Sequence, residues 1–269
     1  MDNFICTTCG AHYPLSQTPP SGCIICQDER QFVNLNGQSW STLKEGLKHH
    51  HPVIRPKEPG LFGVGVEPRF AIGQRGLLLQ TSKGNILWDC VPLVNDDIVS
   101  KIKKLGGIDM IAISHPHYYT ALAEWSKAFG NIPVYLHEDD KQWVTNPYDK
   151  IVFWKGETLY LLDELTVIRL GGHFDGGSVL HWPKGASGKG ALFTGDIIQV
   201  VPDRRFVTFM YSYPNFIPLP ARKINKITAA VQPYAFDRIY GAWWGSTIDS
   251  GAKAAVERSA TRYLKAIKD

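Results

Sequence analysis

Apolar positions in the run NDDIVSKIKKLGG, residues 95–107, fall at Ile98, Ile102 and Leu105. Steps of three and four line one helix face, Asn95 supplies an N-cap, and Gly106 stops the helix. The same period predicts a helix over TALAEWSKAFG, with Leu122, Trp125 and Phe129 on one side. Two further helices are predicted over ARKINKITAAV and SGAKAAVERSATRYLKAIK. Short continuous apolar runs lie between them. FAIGQRGLLLQTS and NILWDCVPL read as strands about an SKGN turn, and IDMIAIS, PVYLH, LTVIRL, GALFTGD and FDRIYGAWWG as further strands. Hairpins, then strand–helix units, then hairpins again predict sheets flanked by helices, an α/β (α+β) chain.

The first sixty residues lack this regularity. Cys6-x2-Cys9 and Cys23-x2-Cys26 are separated by 13 residues, a spacing that lets four thiolates wrap one zinc or iron tetrahedrally. Gly10 after the second cysteine suits a tight turn that aims backbone N–H groups at sulfur, and Phe32 can cover the site. Residues 1–34 are too few to build a core, so the metal is expected to supply most of this module's folding free energy. The Cys-x2-Cys-Gly start and the spacing resemble the short rubredoxin-like domain of rubrerythrins, or a zinc ribbon, without the proline expected after Cys23. Residues 35–60 read as a linker with one short helix in QSWSTLKEGLKHHH and a proline-rich link in PVIRPKEPG. The run His49-His50-His51 points three ways on a helix and is not assigned a metal. The remainder, 61–269, is one domain.

Composition narrows the setting. No apolar run reaches the ~18 residues of a membrane helix. The start MDNFICTTCG has neither the basic nor the apolar block of a secretory signal, which predicts a cytoplasmic protein with reduced cysteines. The formal charge of +4 comes from scattered side chains, so nucleic acid is not an expected partner. A small-molecule substrate is expected; a homo-oligomer is left open.

Candidate chemistry gathers where predicted strands end. ISHPHYYT carries His115 and His117 two residues apart, on one face if the segment is extended. RLGGHFDGGS places His173 in a loop of four glycines, and LFTGDII ends a strand at Asp196. Each has a bland alternative as a loop residue. Four potential ligands at the ends of three core strands favour a metal.

In this order the motifs resemble the metallo-β-lactamase-fold hydrolases, from about residue 61 to 245. RGLLLQTSKGNILWDC is similar to their opening hairpin, with Asp89 at the strand-end aspartate. SHPHYYT is similar to their His-x-His-x-Asp-His motif, GGHFDGGS to their Gly-His turn and TGD to their bridging aspartate, while YGAWWG falls where a final Gly-His-Gly is expected. The resemblance implies a four-layer αβ/βα sandwich with a metal site at one edge. It implies His115, His117 and His173 as ligands of a first ion, zinc or iron, with Asp196 as a further ligand or as the acceptor orienting water. Tyr119 and Thr120 replace the Asp-His pair of the second site, and the last histidine is missing, so a one-metal version is expected.

The expected activity is metal-dependent hydrolysis of a small ester, lactone, thioester or phosphoester. Asp196, Tyr119 and Asp89 are the candidate catalytic residues, Asp89 by fixing an imidazole tautomer and Tyr119 as a proton or hydrogen-bond donor. Tyr118, Tyr119, Trp243, Trp244 and Arg204 are candidate substrate contacts, the aromatics having simple packing as their alternative. The aromatic stretch 202–220 reads equally as a lid, a dimer surface or a loop packed on the core. Two further readings stay open: a mononuclear iron oxidoreductase fed by the cysteine module, and a non-catalytic binding protein on the same fold.

Overall fold

In the computed structural model, which describes residues 1–162 and 164–268, the chain forms two compact units. The first holds Met1–Leu136 and Lys141–Phe153; the second holds His137–Asp140 and the chain from Trp154 onward.

The first unit is organised by a seven-stranded sheet in the order Ile151–Trp154, Val134–His137, Met110–Ala112, Gly84–Trp88, Gly76–Thr81, Leu61–Glu67, His51–Glu58. Leu77, Leu78 and Leu79 are all buried, as a strand covered on both faces requires. Gly84–Trp88 pairs parallel with Met110–Ala112, and the helix Asp96–Lys104 makes the crossover. Met110–Ala112 pairs parallel with Val134–His137 through the helix Leu122–Ala128. Parallel pairing sends the two strand ends Trp88 and Ala112 to one edge in register, and the chain leaves that edge as Asp89 and as Ser114–His117.

The cysteine segment adds a small sheet, with Asp2–Cys6 central between His12–Ser16 and Trp40–Thr42. Thr42 caps the helix Leu43–His49 by accepting from the Glu45 N–H, so the short helix falls where the sequence placed it. The proline-rich stretch expected as a link is instead the strand His51–Glu58, antiparallel to Leu61–Glu67. Proline is tolerated there because an edge strand leaves one side of its backbone without ladder bonds. The strand Leu61–Glu67 itself went unassigned, its apolar alternation interrupted by Gly63 and Gly65.

The second unit carries a six-stranded sheet in the order Thr158–Leu161, Leu165–Arg169, Ser178–Trp182, Ala191–Gly195, Arg238–Gly241, Thr247–Ile248. Leu192 and Ile239 share its core with Ile224 and Ile227 of the helix Ala221–Val231 and Val256 of the helix Ala252–Ala266. The hairpin turn after Leu165–Arg169 carries His173, and the end of Ala191–Gly195 delivers Asp196. Among the described residues no helix is long and apolar enough to cross a membrane.

Candidate metal centre

His115 is extended (φ −171°, ψ 173°), and the next residue, Pro116, opens a single 3-10 turn, Pro116–Tyr118. The two histidines therefore do not share a face by strand alternation, as the sequence spacing suggested. The turn brings them together instead: Tyr118 N–H donates to His115 O at 3.1 Å, and the two imidazole centroids stand 5.0 Å apart. Pro116 suits the first position of such a turn because its missing N–H would have no partner there. Ser114 Oγ lies 3.0 Å from His115 Nδ1, and Tyr118 packs edge-on against the same ring at 4.5 Å.

Asp89 holds this turn from beside it. Its Oδ1 accepts the Ser114 N–H at 2.7 Å, and its own N–H donates to Ala112 O at 3.0 Å. It does so at φ +63°, a left-handed conformation that asparagine and aspartate adopt more readily than other side chains with a Cβ. Cys90 follows, fully buried, and burial first, then the charge of Asp89, pushes its thiol well up. A protonated, enclosed thiol is inert.

His173 is fixed from its own unit. Its Nδ1 lies 2.7 Å from Tyr211 O, and the Tyr213 hydroxyl donates to Asp196 O at 2.7 Å. A carbonyl can only accept, so His173 carries its proton on Nδ1 and offers Nε2, which stands 3.9 Å from Asp196 Oδ2. Tyr211 and Tyr213 belong to the aromatic stretch 202–220, with Val207, Phe209 and Leu219 of that stretch buried; this part of it packs on the core and carries the short strands Val207–Thr208, Met210–Ser212 and Ile217–Pro218. The loop of His173 is pinned by Asp140, 1% exposed, whose Oδ1 accepts the Gly176 N–H at 3.0 Å. A Cβ on Gly176 would sit 2.7 Å from Asp140 Oδ2, so glycine is required for this approach. Neither Asp140 nor the two tyrosines was singled out in the sequence; an acid, a backbone carbonyl acceptor and a hydroxyl donor remote in the chain leave no local signature. Asp140→Ala is expected to weaken metal binding by His173 about tenfold to hundredfold, read by chelator competition.

All four predicted donors of this centre are buried: His115, His117, His173 and Asp196 each offer an atom lying within 4.8 Å of the others. A divalent ion bound at ~2.0–2.2 Å by imidazole and carboxylate fits such a set after small inward shifts. Of the other candidates, Tyr119 is 3% exposed in the turn, and Trp243 and Trp244 lie half-buried in the hairpin turn that the Ser246 N–H closes on Trp243 O at 3.0 Å. Arg204 is exposed and donates to Val201 O at 2.9 Å, outside the four-donor group.

The second group is Cys6, Cys9, Cys23 and Cys26. Cys6 Sγ stands 3.5 Å from Cys26 Sγ and Cys9 Sγ 3.6 Å from Cys23 Sγ, too far for disulfides and close to the ~3.8 Å edge of a tetrahedron of sulfurs at ~2.3 Å from one ion. Hydrogen bonds from Cys23, Cys26 and Cys9 hold the Cys6 thiol down, while burial pushes Cys9 up. Ionising all four without a cation would crowd like charges in an enclosed site; a divalent ion removes that penalty.

The chain has the metallo-β-lactamase fold. Three solved structures overlay on most of it: the metallo-β-lactamases FIM-1 and DIM-1, and VMB-1. FIM-1 from Pseudomonas aeruginosa, in its mono-zinc form, matches with a TM-score of 0.59 at 17% identity, covering 80% of this chain and 96% of that one. VMB-1 and DIM-1 both match with TM-scores of 0.60, at 14% and 15% identity, over 81% of this chain and 99% of theirs. No family model matches the sequence. The chain belongs to the family of the uncharacterized protein YmaE of Bacillus subtilis (strain 168), to which it is 48% identical over 269 residues, 99% of this chain and 97% of that protein.

Proposed function

We propose that the protein is a one-metal hydrolase in which His115, His117, His173 and Asp196 hold a single zinc or iron ion. The substrate class is a small organic ester, lactone, thioester or phosphoester. The observation that carries this reading is the convergence of three buried imidazoles and one buried carboxylate within 4.8 Å. An ion held there would supply Lewis acidity and lower the pKa of water to about 7.

The protein's own groups divide the remaining work. Asp196 either completes the ligand set or accepts a proton from the attacking water. Tyr119 supplies a neutral O–H donor for the developing oxyanion. Asp89 sets the imidazole of His115 by holding the backbone at Ser114. Tyr119 and Thr120 stand where the fold's second-ion ligands would be expected, and a phenol and a hydroxyl bind a divalent ion poorly. FIM-1 taken in a mono-zinc form is a precedent for this fold with one ion. The cysteine set holds a second, separate ion of structural character.

Metal removal tests the reading. Chelator-treated protein is expected to hydrolyse none of a panel of chromogenic esters, lactones, thioesters and phosphoesters, and one zinc per chain beyond the cysteine site restores turnover. Turnover that persists in protein shown by elemental analysis to be metal-free overturns it.

A further inference from the structure

We infer that His12 is a positioning residue that latches the four-cysteine knuckle to the segment 89–93, so that an ion in the cysteine site strengthens binding at the histidine centre. The inference rests on the proposed one-metal reading and concerns residues of the first unit alone.

Three remote side chains hold three successive carbonyls. Gln74 donates to Cys90 O at 3.3 Å, Trp125 Nε1 to Val91 O at 2.9 Å, and His12 Nε2 to Pro92 O at 2.7 Å. The residue just before them is Asp89, held at φ +63° and accepting the Ser114 N–H next to His115. The clamps that follow fix the chain just beyond this aspartate, and so help to set where its carboxylate points.

The third clamp comes from the cysteine knuckle. His12 stands three residues after Cys9, opposite Ile5 in the strand pair, and the Cys6 N–H donates to Ala11 O at 3.0 Å. Gly10, at φ +81°, lies so close to Pro92 that an added Cβ would come within 2.7 Å of its ring. The imidazole is buried (1% exposed), with Nδ1 3.3 Å from Glu124 Oε2, and Thr145 Oγ1 donates to His12 O at 2.7 Å. Burial works to raise the Glu124 carboxyl, but the His12 contact, a backbone hydrogen bond and the charge of Lys127 together hold it below its ordinary value. An ion in the cysteine site fixes the turn that aims His12. When that site is empty the turn relaxes, Pro92 loses its donor, and Asp89 no longer holds Ser114 in one place. Linkage then requires that each ion raise the other's affinity by the same factor.

A double-mutant cycle on the full-length protein tests this with zinc as the probe. Zinc affinity of the histidine centre is measured by competition with a chromogenic chelator in wild type, Cys9→Ser, His12→Phe and the double variant. Each single change is expected to weaken binding on the order of tenfold, and the double no further, because both cut one connection. His12→Gln, which keeps an N–H donor, restores most of the affinity. Hydrogen exchange at the Ser114 amide in metal-free protein should quicken in His12→Phe and not in His12→Gln. If His12→Phe does not fold, Glu124→Gln takes its place with a smaller shift in the same direction. Effects that multiply, or a histidine centre indifferent to Cys9→Ser, overturn the inference. A wild-type protein that binds no ion at the histidine centre refutes the one-metal reading instead, and Ser114 exchange still decides whether the latch exists.

Discussion

His117→Ala is expected to empty the histidine centre and lower hydrolysis about a thousandfold or more, the scale of several kcal/mol of lost transition-state stabilisation. The side chain sits in a one-turn helix held by backbone bonds from Tyr118 to His115 and from Tyr119 to Pro116, none of which involves the imidazole. Alanine keeps that turn, so the fold should survive the change. Elemental analysis should then find one ion per chain fewer than in wild type, with the cysteine-bound ion retained. The contrast is His181, buried in the second unit with Nε2 2.7 Å from Ala235 O: its replacement should lower stability and leave the ion count alone. If His117→Ala retains both its ions and its turnover, the proposed site is wrong.

Cys9→Ser should produce the largest loss of structure. Metal-coupled folding of small cysteine modules carries roughly 10–16 kcal/mol, and a serine oxygen replaces a thiolate poorly on a soft site. The apolar cluster here is small: Ala11 and Ile25 are its buried members besides the cysteines, with Tyr13, Trp40 and Trp143 packed at its side. That cluster cannot hold the segment by itself. The variant should lose one ion, become open to proteolysis within residues 1–42, and melt in two transitions where the wild type melts in one. Cys90→Ala, at a buried thiol outside the cluster, should change none of these. A Cys9→Ser protein with full metal content and unaltered protease resistance would show that the knuckle folds without its ion.

Much of this was readable in the chain. The helix Asp96–Lys104, with Asn95 accepting from the Ile98 N–H, follows from periodicity and capping, which act within one turn of the residue concerned. The four candidate donors were legible because they follow closely on apolar runs and so mark strand termini. What escaped was information held across the fold. Asp140, Tyr211 and Tyr213 act on residues tens of positions away, and the last two do so through backbone carbonyls or a lone hydroxyl. The turn at Pro116 was missed for a different reason. Two histidines with one residue between them read as strand alternation, and the local preference of proline for the start of a helix won. The strand His51–Glu58 was lost to its prolines, which lower strand propensity everywhere except at a margin.

That margin has a consequence for the protein in a crowded solution. Pro52 and Pro56, four residues apart, turn their nitrogens to the same side of the outermost strand, and Arg55, Lys57 and Glu58 add charge along it. A foreign strand arriving there would meet missing donors and bristling ions in place of a free template. Fibrous self-stacking through this rim is thereby disfavoured.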